Sequence, residues 1–280
     1  MAKQSTAKQT RQEANEPASR AQSAKQKSAA PNLDRVIHER LRLGIISALA
    51  ANESLVIQAA NETRPHLRMR TGEIAILGAG ANASLTLGGL LVEGALRIDG
   101  DIETLRVLHC TFVPGRSVEQ ERAIPPSGPS IVVTPTSSTG AKINTALEVE
   151  IALSIVGALR MPSHMAKLWL LDSIVDGVLT NGGLIVEAVS DAALTSGPPA
   201  HIERCTLFGT SRFLKLEMAS ESIFTGVVTV EQRQQGCVRF SFVRRGSATP
   251  QQYRCQPALE IQLEAIDGVL RCQVGHGGTP

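Results

Sequence analysis

The stretch that decides the fold is Leu214-Lys-Leu-Glu-Met-Ala-Ser-Glu-Ser-Ile-Phe-Thr-Gly226. It combines a short alternating strand, a small hydroxyl residue, an apolar pair and a glycine. Alternation at period two predicts a strand with one buried face. Ser222 is expected to fill a tight corner and to bond the backbone there, with Ile223 and Phe224 turning into the core. Gly226 is expected to supply the positive φ of the following turn.

The same pattern recurs along the chain, and its small hydroxyl residues align at positions 111, 154, 173, 206 and 222, with Leu90 at the same position of a degenerate earlier copy. A unit of about 16–22 residues fits if two of the spacings are enlarged by insertions, at 116–144 and 180–199. Repeated units that alternate strand and turn predict stacked coils joined by parallel strands. We therefore expect an all-β fold, a right-handed parallel β-helix over 56–257. A β-sandwich would reproduce part of this pattern.

The flanking segments differ in composition from the repeats. Residues 1–31 contain six basic and two acidic residues with almost no large apolar side chain, which predicts a disordered basic arm. Residues 32–55 contain apolar side chains at three- and four-residue spacing, which predicts an amphipathic helix at about 34–51. Residues 258–280 show a weak apolar pattern and are expected to form a C-terminal tail that frays.

The segment Leu33-Asp-Arg-Val-Ile-His-Glu-Arg-Leu-Arg-Leu-Gly-Ile-Ile-Ser-Ala-Leu-Ala50 resembles the first helix of bacterial winged helix-turn-helix regulators. Such a domain also needs a recognition helix and a β-wing, and neither pattern follows. The resemblance is therefore to a truncated element. The alternative is a helix that caps an open end of the β-helix, because exposed sheet ends need covering.

Composition and charge limit the location and the partners. The net charge is +2, and no run of about 18 apolar residues is present, so we expect no membrane span and no strongly charged partner. The first thirty residues lack the apolar core of a signal peptide, which predicts a cytoplasmic protein with reduced thiols. The five cysteines contain no C-x-x-C pair. Cys237 and Cys255 flank a loop, and whether they form a disulfide stays open.

Acidic residues on the predicted coils are the candidates for catalysis. Polysaccharide-active enzymes need clustered carboxylates, or carboxylates with Ca²⁺ and an arginine base. The candidates are Asp99, Asp101, Glu103, Asp172, Asp176, Glu203, Glu217 and Glu221. Asp99 and Asp101 are the closest pair, and Asp172, Asp176, Glu203 and Glu221 could form a stacked strip. A solvated turn and solvated outward positions explain both sets more simply.

Other catalytic and ligand-binding patterns are missing. The histidines lack metal-ligand spacing, no G-x-S-x-G occurs, and Gly78-Ala-Gly80 lacks the rest of a dinucleotide fingerprint. Cys110 and Cys205 precede aligned threonines, which indicates stacked core residues rather than a metal site. We therefore expect no catalytic residue, no metal and no cofactor.

The best candidate binding surface is a basic edge near the C-terminus that carries aromatic residues. Its residues are Arg239, Arg244, Arg245, Tyr253 and Arg254, together with Phe240 and Phe242. The alternative is that the phenylalanines cap the last coil and that the arginines are simply solvated. The partner expected there is an unidentified protein or polysaccharide, and we do not expect nucleic acid to bind.

The segment Ser220–Val243, with Gln251–Pro257 and Leu108–Gly115, resembles a family of uncharacterised bacterial right-handed parallel β-helix proteins of the pectin-lyase-like type. The resemblance extends over about 56–257. It implies a solenoid, and it suggests an association with phage-tail-like particles. Because the family implies no established activity, no functional residue is transferred from it.

Three functions follow as hypotheses. The first is a non-enzymatic structural or binding module, on its own or as part of a phage-tail-like particle. The second is a polysaccharide-active enzyme of the pectin-lyase-like class. The third is a DNA-binding transcriptional regulator that acts through the N-terminal helix.

Overall fold

A computed structural model of the chain describes residues 54–78, 80, 82–113, 128–177, 187–191 and 195–263. This part of the chain contains two long sheets whose strands pair in parallel throughout. The all-β class predicted from the repeats is therefore confirmed. None of the helices within these ranges is long and apolar enough to cross a membrane.

The nine-stranded sheet forms a single column, which we call ladder 1. Each strand between the two ends of the column pairs with the strand from the repeat before and with the strand from the repeat after. In order, ladder 1 consists of β1 (Ser54–Gln58), β3 (Ser84–Gly88), β5 (Thr104–Leu108), β8 (Glu148–Ala152), β11 (Lys167–Leu171), β14 (Ala200–Glu203), β17 (Leu216–Ser220), β20 (Cys237–Arg239) and β22 (Gln251–Tyr253).

The second sheet branches at β4 (Leu91–Asp99), which also pairs with β2 (His66–Leu77). The N-terminal half of β4 pairs with β6, and its C-terminal half pairs with β7. Ladder 2 continues through β6 (Thr111–Val113), β9 (Ile155–Gly157), β12 (Ile174–Asp176), β15 (Thr206–Phe208), β18 (Ile223–Phe224) and β21 (Phe242–Val243). Ladder 3 continues through β7 (Ile131–Val133), β10 (Leu159–Arg160), β13 (Glu187–Ser190), β16 (Thr210–Phe213) and β19 (Val228–Val230).

The chain visits the three ladders in the same order each time, and we call one such pass a coil. The coil of β14, β15 and β16, for example, is followed by the coil of β17, β18 and β19. Parallel pairing stacks equivalent residues of successive coils, so one parity of a strand faces inward. The register shifts at a bulge in three pairs, β2 with β4, β13 with β16 and β14 with β17. This order is compatible with the predicted parallel β-helix.

The core consists of columns of aliphatic residues. Inward positions of ladder 1 stack Val107, Ile151, Leu170, Ile202, Ala219 and Val238, all of them buried. Ladder 2 contributes Val92, Phe112, Val156, Val175, Leu207, Phe224 and Val243 in the same way. A chain poor in aromatic residues can fill such a narrow interior, because each coil adds only a few side chains of medium size.

Two residues make the corner between ladder 1 and ladder 2. The first has a positive φ of 48–54° in seven successive coils, although none of these residues is glycine: His109, Leu153, Asp172, Arg204, Glu221, Phe240 and Arg254. The second is small and buried, in the order Cys110, Ser154, Ser173, Cys205, Ser222, Ser241 and Cys255. The first residue reverses the chain and exposes its side chain, while the second occupies the tight inside of the corner.

Hydrogen bonds run along the column of small corner residues. Ser222 Oγ accepts from the Cys205 N–H at 3.1 Å and donates to the Ser220 carbonyl at 2.8 Å. The Ser222 N–H in turn donates to Ser241 Oγ at 3.1 Å. The role predicted for Ser222 is therefore confirmed, and each corner serine bonds the backbone of its own coil and of the preceding coil.

Several details of the repeat differ from the prediction. The corner residues in two coils are Cys110 and Cys205, one position before Thr111 and Thr206, because a thiol fills this site as well as a hydroxyl does. Ile223 does not turn into the core: it is 48% exposed while Phe224 is buried.

Gly226 has no positive φ, and its role is a close approach between coils. A Cβ atom at Gly226 would lie 2.1 Å from the carbonyl carbon of Gly209. The glycine is therefore required by the packing of one backbone against the next, not by the turn itself.

The two predicted insertions each contain a strand of ladder 3. β7 lies within 116–144 and β13 within 180–199. Both are short strands within sequence rich in Pro, Ser, Thr and Gly, so the prediction missed them.

At the N-terminal side, β1 begins at Ser54, two residues before the predicted start of the β-helix. The predicted arm at 1–31 and the helix at 34–51 lie outside the described residues. At the other end, residues 258–263 of the predicted tail are helical, and 264–280 lie outside the described part.

Candidate binding surface

The predicted basic edge lies on the last two coils of the described chain. Arg239 ends β20 and pairs in register with Tyr253 of β22, so the two outward side chains are neighbours. Phe240 and Arg254 follow them at the corner, both with a positive φ that directs the side chain away from the core. Phe240 and Tyr253 pack edge to face with ring centroids 5.6 Å apart.

The arginines of this edge are held loosely. Arg239 Nε donates to Ser220 Oγ at 3.2 Å, and Arg244 Nη1 donates to the Thr225 carbonyl at 3.4 Å. The Arg254 guanidinium lies 5.6 Å from the centroid of the Tyr253 ring. None of them forms an ion pair with an acid in the described ranges, so their charges are available to a partner.

The segment that contains the basic edge carries only positive charges. Between Glu231 and Glu260 the sequence contains five arginines and no Asp or Glu. Arg244 and Arg245 lie on the loop after β21 and are exposed. The structure thus brings Arg239, Tyr253 and Arg254 together at one corner, with Arg244 and Arg245 on the adjacent loop.

The predicted acidic strip is not an acidic cluster. Arg204 Nε and Nη2 donate to the two carboxylate oxygens of Asp172 at 2.6 and 2.9 Å, and Nη1 donates to Glu203 at 3.0 Å. These bonds hold the pKa of Asp172 below its usual value. The pKa of Glu203 is lowered first by its bond to His201 and then by Arg204. Asp176 lies on ladder 2 and Glu221 at the corner, so the four carboxylates do not share one face.

Asp99 and Asp101 stabilise the return from ladder 3 to ladder 1. Asp99 accepts from Arg97 Nε at 2.9 Å and from the Thr134 hydroxyl at 2.5 Å. Asp101 accepts from the buried Asn144 N–H at 2.6 Å. Both carboxylates therefore have structural partners.

Sequence reasoning missed a patch around Trp169 on the outer face of ladder 1. Trp169 pairs in register with Glu150 and His201, and the indole and imidazole centroids are 4.7 Å apart. Lys167 Nζ lies 3.8 Å from the indole centroid and also pairs with Glu217. Lys167 and Lys215 both pair with Glu217, and His201 pairs with Glu203, so these charged groups already have partners within the chain. The alignment of Trp169 with His201 in consecutive repeats was the signal that could have revealed it.

A row of exposed apolar side chains on ladder 2 was also missed. Ile155, Ile174, Ile223 and Phe242 occupy the first outward position of β9, β12, β18 and β21 and are 46, 37, 48 and 41% exposed. Thr206 of β15 lies between Ile174 and Ile223 in this row. The signal was present in the repeats. Each corner serine is followed by two apolar residues, and the second of them fills the core, so the first must point outward.

The thiols are part of the core. Cys110, Cys205 and Cys255 are buried free thiols, and burial raises the pKa of Cys205 to about 11. Cys237 is also a free thiol, so it forms no disulfide with Cys255. Over the described ranges, no group of three or more His, Cys, Asp or Glu could hold a metal ion.

Comparisons with protein-family models, curated proteins and solved structures found no match. The resemblance of the chain to a pectin-lyase-like family therefore stays a prediction.

Proposed function

We propose that the three ladders are the faces of a right-handed parallel β-helix. The constant order of the ladders, the parallel pairing of all their strands and the stacked corner column support this fold. The handedness follows from the general preference of connections between parallel strands, which are right-handed in about 98% of cases. An experimentally determined structure of the full chain tests it, and a left-handed winding would contradict it.

We propose further that this β-helix is a non-enzymatic binding module whose contact surface is the basic edge. The observation that carries the proposal is the run of five arginines without an acid between Glu231 and Glu260. Exposed Phe240 and Tyr253 add flat apolar area beside these charges, and aromatic residues and Arg are enriched at protein interfaces. The partner is an anionic protein or polysaccharide surface, such as a subunit of a phage-tail-like particle.

The state of the carboxylates favours binding over hydrolysis. A glycosidase needs one carboxylic acid with a raised pKa facing a second carboxylate. Here Asp172 and Glu203 share Arg204 and have lowered pKa values. Burial raises the pKa of Asp191, but its neighbour is His164 rather than a second carboxylate.

The test is a comparison of two double variants with the unmodified chain. Arg244→Gln with Arg245→Gln removes charge from the basic edge, while Arg106→Gln with Lys142→Gln removes the same charge elsewhere. Binding is measured by calorimetry with a poly-aspartate peptide and with a heparin oligosaccharide at 50 and 200 mM salt. We expect the edge variant to bind at least about tenfold more weakly and the control to change less than about twofold, since surface charges act locally under screening.

Equal losses in the two variants would mean that attraction is only to the overall charge, and the basic edge would then not be a site. Release of reducing ends from either the heparin or a pectin substrate would overturn the non-enzymatic function. A preference for poly-aspartate over heparin at 200 mM salt would identify the partner as protein.

A further inference from the structure

The C-terminal end of ladder 1 is an open sheet edge. β22 is the last strand of this ladder, and within the described ranges it pairs only with β20. Its three residues, Gln251–Tyr253, are all exposed. A bare edge strand presents unpaired N–H and C=O groups on which another strand can add, and proteins cover or blunt such edges. The end of the ladder is therefore a place where a further segment can bind.

One backbone donor at this end lacks the acceptor that its counterparts have. In the six preceding coils, the N–H of the first corner residue donates to the carbonyl that ends the ladder 1 strand of the next coil, at 3.0–3.2 Å. The N–H of Phe240, for example, donates to the Tyr253 carbonyl at 3.0 Å. Arg254 is the first corner residue of the last described coil, and its N–H has no such acceptor among the residues that the structure describes. One more coil would supply this carbonyl.

The sequence beyond β22 repeats the corner pattern once more, as Val269-Leu-Arg-Cys-Gln-Val-Gly275. The dipeptide Arg-Cys occurs at three places in the chain. Two of them, Arg204-Cys205 and Arg254-Cys255, form the corner between ladder 1 and ladder 2. The third is Arg271-Cys272, and a glycine stands three positions after its cysteine, as a glycine does after Ser154.

The length of the intervening chain fits a further coil. Cys272 lies 17 residues after Cys255, which is also the separation of Cys205 and Ser222 in two stacked coils. Residues 258–263 are helical and extend only about 9 Å, at about 1.5 Å per residue. The next six residues can reach about 20 Å. Because packed sheets lie about 10 Å apart, the chain is long enough to return from ladder 2 to ladder 1.

We propose that residues 269–275 form one further coil, which stacks on β22 and closes the open end of ladder 1. Val269 and Leu270 extend the ladder by one strand, and Arg271 and Cys272 make the next corner. Side chains alternate between the faces of a strand, so Val269 faces the core and Leu270 faces solvent. Part of the segment expected to fray is thus the cover of the fold.

The register of this strand follows from the coils below it. Val269 lies over Gln252, the inward position of β22, and the Leu270 carbonyl accepts from the Arg254 N–H. Gln252 is compatible with an inward position, because its amide already donates to Thr249 Oγ1 at 2.9 Å. A polar group that has its partner can be covered at little cost, whereas a buried group without one is expensive.

The coil has two consequences. It protects the edge of ladder 1 from strand addition by another chain, and it places Arg271 beside Arg254 on the basic edge. The second consequence rests on the proposed function, whereas the coil itself does not. The tests of the coil use no binding partner, so the coil and the proposed function can fail separately.

The first test maps thiol labelling in the unmodified full chain, by iodoacetamide under native conditions and mass spectrometry of the peptides. Cys237 is the reference for a partly exposed thiol, and the buried Cys255 is the reference for a corner thiol. We expect Cys272 to be labelled at least about tenfold more slowly than Cys237, because the coil must open first. Equal rates for Cys272 and Cys237 would overturn the proposal. Protection that appears only at high protein concentration would assign the cover to a second copy and would also overturn it.

The second test compares Val269→Asp with Leu270→Asp, which place the same charge on adjacent residues of opposite parity. We expect Val269→Asp to speed labelling of Cys272 and hydrogen exchange of the Arg254 amide by at least about tenfold each, because a charge cannot stay at the inward position. Leu270→Asp is expected to change each rate by less than about twofold. Equal effects of the two substitutions, or an Arg254 amide that already exchanges in the unmodified chain as fast as in urea, would contradict the proposed coil.

Discussion

Replacement of Ser222 by alanine is the most direct test of the corner column. The hydroxyl makes two hydrogen bonds, but their loss is not equivalent. The Ser220 carbonyl also accepts from the Arg204 N–H at 3.0 Å, so it keeps a partner in the variant. The buried Cys205 N–H donates to Ser222 Oγ and is left without an acceptor. A buried donor left unpaired costs about 1–3 kcal/mol, so we expect Ser222→Ala to lower the free energy of unfolding by about 2 kcal/mol.

The assay is urea unfolding followed by circular dichroism, with Ser137→Ala as the control. Ser137 contacts Thr139 on an exposed turn, and its loss is expected to change stability by less than about 0.5 kcal/mol. Ser222→Cys is expected to lie between the two, because thiols fill the same corner in other coils and bond more weakly. A Ser222→Ala variant as stable as Ser137→Ala would refute the assignment of the hydrogen bond to the corner column.

Two further predictions concern backbone packing and ion pairing. Gly226→Ala forces a Cβ atom against the backbone of Gly209 and is expected to lower the free energy of unfolding by about 1–3 kcal/mol in urea unfolding. The control is Gly128→Ala, whose Cβ atom has no neighbour within 4 Å and whose stability is expected to stay near that of the unmodified chain. The folded-state pKa of Asp172 is lowered by Arg204, so its contribution to stability is present above the unfolded value near 3.8 and is lost as the pH falls through the folded pKa. Arg204→Gln should therefore flatten the fall of the urea midpoint below about pH 4, and an unchanged pH profile would contradict this.

The repeat could be predicted because the core of a stacked fold leaves a strong periodic pattern. Ser154, Ser173 and Ser222 occupy the same corner in three coils. Each makes the same two hydrogen bonds to the backbone, and these constraints fix the residue type. The alignment failed by one residue at Thr111 and Thr206, because Cys110 and Cys205 satisfy the same site with different chemistry. Sequence similarity alone could not equate a thiol with a hydroxyl.

Ladder 3 was harder to predict because its strands are only two to four residues long and, unlike those of ladder 2 from β6 onward, do not follow a small corner residue. β7 and β13 have too few alternating positions to stand out from the loops around them. The first corner residue was also hidden, because Leu153 and Phe240 adopt a positive φ that their side chains disfavour. Tertiary packing imposes that conformation, and no local preference reveals it.

The arginines of the basic edge were identified from the sequence, because the charge of a side chain follows from its residue type alone. Their arrangement was not, since the contact between Arg239 and Tyr253 depends on the register of β20 and β22. The row of exposed apolar side chains on ladder 2 was overlooked for the opposite reason. An apolar pair was assumed to be wholly internal, whereas a strand must send neighbouring side chains to opposite faces.

The order of the corner residues affects how far along the chain the stability of one coil depends on that of other coils. From Cys110 to Cys255 they follow a period of three: one cysteine and then two serines. Hydrogen bonds from N–H to Oγ link Cys110 to Ser154 and Ser154 to Ser173, and then Cys205 to Ser222 and Ser222 to Ser241. In a stacked array each coil is stabilised only by its neighbours, and sulfur is a weak acceptor. The Oγ coupling of the small corner residues is thus confined to blocks of three coils. At the boundary between the first two blocks the outer corner residues supply the missing link, because Arg204 of one coil binds both carboxylate oxygens of Asp172 in the coil before it.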